Sequence, residues 1–185
     1  MHSSDITGRQ GNVAGPQDAE VSSRLQTEVA LDMELEPWLR FAHIGGGIVW
    51  VGGVVMLTAL GSRVRRSDNM ATVGEFARTL SFAGVRVVAP AVVVVLASGI
   101  WLVIQQSRDF SDLWVLLALA AFAAAFVVGA VVQGRNAIAL ERVATGPDPD
   151  PRAAKAVFGR WILSNVVTLV FLAFVVWDMI FKPGT

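Results

Sequence analysis

His43 is the only histidine inside an apolar stretch of this sequence; the other, His2, lies near the start. A neutral imidazole is a good axial ligand for haem iron and a ligand for copper, and an ionisable group within a membrane-spanning stretch is a functional-site hypothesis by default. The plain alternative is a neutral histidine near an interface, hydrogen-bonded to a carbonyl or to water. At helical spacing the face of His43 carries Gly46, Gly47, Trp50, Gly53 and Leu57. Gly46 and Gly53 fall two turns apart, so this face has a groove. It admits a neighbouring helix or, because bundle cores are where cofactor sites are built, a flat cofactor. Trp50 lies twelve residues past Trp38, hence ~18 Å along the axis and near the midplane, where its indole N–H requires a protein or cofactor partner. The candidate cofactor-binding set is therefore His43, Gly46, Gly47, Trp50 and Gly53, with His43 the candidate metal ligand.

Met179 and Asp178 stand near the far end of the last apolar segment, at roughly the depth of His43 in an antiparallel bundle. A His and Met pair ligates low-spin haem, and His with Met or Asp holds copper, so Met179 joins the cofactor set; Asp178 also reads as a headgroup residue beside Lys182. A bis-histidine haem b needs a second imidazole within the membrane, which a second copy of the chain would supply. Cysteine is absent from the sequence, which removes disulfides, thiolate metal sites and thiol catalysis. The sequence contains no Walker loop, GxGxxG fingerprint or Ser/His/Asp set, and its membrane segments hold no paired carboxylates. No catalytic residue is assigned, and an enzyme is not expected.

These side chains must be positioned by elements whose nature the composition dictates. Of 185 residues 54% are apolar and 16% charged, with zero formal net charge and a mean hydropathy of +0.58, where a soluble domain carries about 25% charge. No basic excess recommends a nucleic-acid partner. Four apolar segments, 38–60, 84–105, 113–133 and 161–181, each hold 21 to 23 residues, enough at ~1.5 Å per residue to cross a hydrocarbon core of ~30 Å. Segments this long satisfy their backbone in lipid only as helices. The expected fold is all-α: an integral membrane four-helix bundle over 37–185, preceded by a disordered acidic tail over 1–36. That tail holds Asp5, Asp18, Glu20, Glu28, Asp32, Glu34 and Glu36 against Arg9 and Arg24, lacks the basic region and apolar core of a signal peptide, and buries too little to offset its ordering entropy.

The first connection carries Arg63, Arg65, Arg66 and Arg78 and the third Arg135, Arg142, Arg152, Lys155 and Arg160, whereas the second has only Arg108. The positive-inside rule places the first and third in the cytoplasm and both termini outside. Val73, Phe76 and Leu80 predict a short amphipathic helix lying at the inner interface. Asp150 and Pro151 predict an N-cap and first helical position leading into the fourth span. Trp38, Trp101, Trp114 and Trp177 are expected at the outer headgroup level and Trp161 at the inner one. Thr58, Ser98, Ser164 and Thr168 are expected to bond back to their own helix carbonyls and Asn165 to bond across to another helix. Pro90 reads as a kink or helix start, and Arg86 is expected to snorkel. Ala121, Ala125 and Gly129 form a ridge of small residues. The expected partners are the lipid bilayer and other membrane subunits or a second copy, through the Gly46/Gly53 and Ala121/Ala125/Gly129 faces.

The run Trp38-Leu-Arg-Phe-Ala-His43, followed by Trp50-Val-Gly52-Gly53, resembles the first helix of small bacterial membrane proteins of the CopD (copper resistance D) and HemJ (protoporphyrinogen oxidase) types. Gly99-Ile-Trp101, Arg160-Trp161 and Lys182-Pro183 resemble a related family of predicted integral membrane proteins. The resemblance implies a four-helix domain of the bacterial inner membrane and, on the HemJ side, a haem b site served by His43. The Leu-Pro-Arg motif that follows the glycine pair in HemJ proteins is replaced here by Val-Met-Leu-Thr, the third helix lacks their second polar motif, and Met-rich or His-rich copper signatures are missing. Copper transport and porphyrinogen oxidation therefore rank below a haem- or metal-holding bundle and below an accessory subunit of a larger membrane complex.

Overall fold

A computed structural model describes residues 16–106 and 108–184 of the chain. The described residues form helices α1 (Pro16–Val64), α2 (Met70–Ala83), α3 (Ala89–Gln105), α4 (Leu113–Val127), α5 (Gly134–Thr145) and α6 (Pro151–Phe181). Short π-helical stretches, Gly84–Val88 and Val128–Gln133, join α2 to α3 and α4 to α5. The chain divides into two units, residues up to Trp38 and residues from Leu39 onward.

In the first unit, residues 1–15, part of the expected disordered tail, lie outside the described residues. From Pro16 the chain is helical rather than irregular. The Gln, Ala, Glu and Leu residues that follow Pro16 are good helix formers. Arg24 pairs with Glu20 one turn away at 2.7 Å. Every side chain from Glu20 to Thr27 is exposed, so this stretch is helical and solvated at once.

In the second unit the expected four segments appear as four rods long and apolar enough to span. All four exceed a bilayer: Glu34–Val64, Met70–Gln105, Leu113–Thr145 and Pro151–Phe181 hold 31, 36, 33 and 31 residues, or ~47, ~54, ~50 and ~47 Å. The extra length of the last three lies at the arginine-rich end. There the stripe Val73, Phe76 and Leu80 does not lie flat on an interface. It is buried with Leu140, Val157, Phe158 and Trp161 in a core that unites α2, α5 and the start of α6. Beyond the hydrocarbon, water restores the hydrophobic driving force, so large side chains come together. Phe76 stacks on Phe158 at 5.8 Å and meets Trp161 edge-on at 5.8 Å. The second core, in the apolar part of the bundle, is built mainly of smaller groups: Val54, Ala91, Val92, Ala125 and Leu172 around Trp50.

Local signals act as the sequence reading anticipates. Asp150 caps α6 by accepting from the backbone N–H groups of Arg152 (2.8 Å) and Ala153 (3.2 Å), with Pro151 at the first position. Asn69 caps α2 in the same way. Thr58, Ser98, Ser164 and Thr168 donate to carbonyls of their own helices. Pro90 follows directly on the first π stretch: it has no N–H to offer the carbonyl four residues back, and there Ala89 N–H donates to Gly84 five residues back. The Arg86 guanidinium lies over Phe82, one turn toward the basic end. In the Gln106–Asp112 connection, the backbone N–H of Ser111 and, less strongly, its hydroxyl hold the Asp109 carboxyl below its ordinary value.

Three expectations are corrected. Trp101 and Trp177 are exposed, but Trp114 and Trp161 turn inward and are buried, because each sits where a neighbouring helix covers its face. Asn165 is buried, yet no hydrogen bond reaches it from another helix; the inter-helix bond runs instead from Gln133 Nε2 to Thr168 Oγ1 at 3.1 Å. The small-residue ridge is used within the chain: Ala121 and Ala125 are buried, and Gly129 lines an internal cavity, so this face is not open to another subunit.

A Cβ added at Gly61 would stand 2.5 Å from Trp161 Cζ3 and 3.2 Å from Phe76 Cζ. Both rings are buried and have little room to move. Gly61→Val is expected to cost about 1–3 kcal/mol by overpacking, lowering the melting temperature in detergent by several degrees. Gly45→Val, where an added Cβ meets nothing within 4 Å, is expected to leave it within about a degree or two. Circular dichroism melts of the two variants check the contrast.

Candidate functional site

His43 is half-buried on α1, and its ring is seated on α3. Nδ1 lies 3.0 Å from the Val95 carbonyl oxygen and 3.3 Å from Ser98 Oγ. A carbonyl only accepts, so Nδ1 carries the proton. Ser98 Oγ has its own hydrogen committed to the Val94 carbonyl, and it too accepts from Nδ1–H. The neutral tautomer assigned by this network leaves a lone pair on Nε2, and no hydrogen bond to Nε2 occurs among the described residues. Gly99 makes the seat: a Cβ there would fall 3.0 Å from His43 Cε1 and 3.3 Å from Nδ1.

The glycines of the His43 face do different things. At Gly46 an added Cβ would come within 2.9 Å of Val95 Cγ2 and 3.2 Å of the Ala91 carbonyl, so α3 packs into the groove at this point. At Gly53 the Val88 side chain lies 3.7 Å away, an ordinary contact. Gly47, one turn from His43, has nothing within 4 Å. Trp50 is 4% exposed, meets Phe122 edge-on at 5.5 Å, and lines the internal cavity.

The imidazole of His43 rests on the second rod, and Met179 is half-buried near the end of α6. Asp178, which also reads as a headgroup residue, is fully buried, and both its carboxylate oxygens lack a hydrogen-bond partner. Trp114 Nε1, at the same end of the bundle, is likewise buried without a partner, and Lys182 Nζ lies 5.3 Å from the centre of the Trp114 ring. Among the described residues no group of three or more His, Cys, Asp or Glu side chains gathers.

The setting of these groups is decided by comparison with known families. A profile described as predicted integral membrane protein (DUF2269) matches residues 37–183, almost the whole of the chain after the acidic segment. The chain belongs to this family. No curated protein and no solved structure matches it. As a DUF2269 member it is an integral membrane protein, and its apolar rods contact the bilayer.

Two positioning residues, Ser98 and Gly99, were not legible as such. Ser98 reads correctly as a back-bonding serine, and its second role depends on the α1–α3 distance. A Ser-Gly pair on the second span was the available signal, since small side chains admit a ring from a neighbouring helix. In detergent-solubilised protein with 15N-labelled histidine, His43 is expected to show a protonated Nδ1 and an unprotonated Nε2. Gly99→Val, which places side-chain atoms where the ring sits, is expected to abolish that signature, whereas Gly47→Ala is expected to preserve it.

Proposed function

We propose that this protein is a ligand-holding four-span membrane module in which His43 offers Nε2 to haem b or another metal. The observation that carries the reading is the Nδ1–H hydrogen bond to the Val95 carbonyl, 3.0 Å long. A ligating histidine commonly donates its other ring N–H to a carbonyl or carboxylate, which fixes the tautomer and the ring orientation. His43 would hold the group, and the open side at Gly47 would give room beside it. Bound haem would supply one-electron chemistry; the chain's part is to orient the imidazole and turn Nδ1, not Nε2, toward the Val95 carbonyl. A second copy would supply the second imidazole of a bis-histidine site, and kinship with CopD- and HemJ-type proteins belongs to the same proposal. Visible spectra of protein purified in mild detergent test it: a Soret band that shifts on reduction and disappears in His43→Ala is expected. A colourless preparation that regains no band on adding haemin overturns it.

A second reading, an accessory subunit of a larger membrane complex, is favoured by Gly45 and Gly52. These glycines are seven residues apart on α1, and an added Cβ at either meets nothing within 4 Å. This open face, rather than the Gly46/Gly53 or Ala121/Ala125 faces, would receive a partner helix. Copurification of a colourless chain with other membrane subunits, lost in a Gly45→Leu/Gly52→Leu double variant, would mark this role.

The proposal includes a bacterial inner-membrane location with both termini outside, and an appendage over 1–36 separate from the membrane domain over 37–185. The arginine-rich connections support the orientation, and the family match beginning at 37 supports the boundary. The sequence has no cysteine, so single introduced thiols report topology without background. Ser111→Cys is expected to react with a membrane-impermeant maleimide in intact cells and Asp148→Cys only after lysis; the reverse pattern inverts the orientation.

A further inference from the structure

A cavity of about 500 Å³ lies among the four rods, within the size range of small-molecule pockets. Both π-helical stretches line it, one through Gly84 and Val88 and the other through Gly129 and Gln133. A π turn is a rare interruption of an α-helix that occurs frequently at functional sites; here two of them face one space. Two further lining residues within the apolar segments, Val85 and Phe126, are 69% and 50% exposed. They sit on the outer surface of the second and third rods, so the cavity opens sideways toward the hydrocarbon.

The lining also carries a polar group without a partner. Asn165 is 1% exposed, and its Nδ2 is buried with no hydrogen bond. Gln133, also in the lining, donates Nε2–H to Thr168, about one turn along α6 from Asn165. An amide left unpaired where no water competes is strongly unfavourable, and a bound acceptor would satisfy it. Because access runs through lipid, that acceptor arrives on a lipid-soluble, uncharged molecule.

We propose that this cavity binds a neutral lipid-soluble molecule through a carbonyl oxygen that accepts from Asn165 Nδ2–H. Its apolar body packs on Ala125 and Gly129, and its tail leaves past Val85 and Phe126 into the bilayer. A quinone head group and the acyl carbonyl of a membrane lipid share this chemistry. His43 does not line the cavity, so the inference is independent of the haem reading.

The full chain in mild detergent is titrated with a decyl-substituted benzoquinone, following tryptophan fluorescence, since Trp50 and Trp161 line the space. Native mass spectrometry of the same sample scores retained diacylglycerol, a neutral lipid with acyl carbonyls. Saturable one-site quenching is expected, weakened about fivefold to tenfold in Asn165→Leu by loss of one neutral hydrogen bond. Gly129→Leu is expected to abolish binding with an unchanged circular dichroism spectrum, because an added Cβ at Gly129 meets nothing within 4 Å and the side chain fills the void. One diacylglycerol retained by the wild type and lost from both variants, without saturable quinone quenching, supports the site and identifies the lipid source. Absence of both ligands at one per chain, or variants that bind as the wild type does, overturns the proposal. If Asn165→Leu does not fold, Gly129→Leu and Gly84→Leu, the latter also at an open position, carry the test. His43→Ala is expected to bind the quinone normally.

Discussion

Hydrocarbon offers a peptide group no hydrogen bond, and it offers apolar side chains nothing they lack inside a protein. The first condition makes the spanning segments helices. The second deprives them of the hydrophobic effect as a means of association, so they approach through small side chains and local fit. The two cores record the change of solvent along the same rods. Ala91, Ala125 and Val92 surround Trp50 where lipid surrounds the bundle, while Phe76, Phe158, Trp161 and Leu140 gather at the end that extends past it.

Packing by fit leaves places where fit is incomplete, and the chemistry of the molecule concentrates there. The His43 ring occupies a notch that exists only because Gly99 has no side chain, and its Nδ1–H is used by Val95 while Nε2 is not. The cavity lies where the two π stretches interrupt regular α-helix on the second and third rods. Asn165 lies at one such gap, and the buried pair Asp178 and Trp114 has groups equally without partners at the other end of the bundle. In a medium with no competing water, each such group is either a cost or a binding determinant.

Much of this was readable from local chemistry. The four apolar segments, the Asp150-Pro151 start of α6 and the back-bonding of Thr58, Ser98, Ser164 and Thr168 each depend on a few neighbouring residues. Less legible was anything that depends on which rod faces which. Trp114 and Trp161 have the composition of interfacial anchors, but their neighbours bury them. The stripe of α2 suits a membrane surface as well as a helix partner, and only the presence of α5 and α6 selects the second. The helix from Pro16 shows that high polarity and regular backbone are compatible when good helix formers run together.

From the amino-acid order alone come the class of protein, the four crossings and the candidacy of His43, because hydropathy and helical period are properties of a segment by itself. Whether the Gly46 groove holds a helix or a cofactor, which nitrogen of His43 is left free, and that a cavity beside Asn165 exists at all were decided by the rotation and spacing of rods about one another. Those quantities are sums of many small contacts between residues far apart in the chain, and no single stretch of sequence contains them.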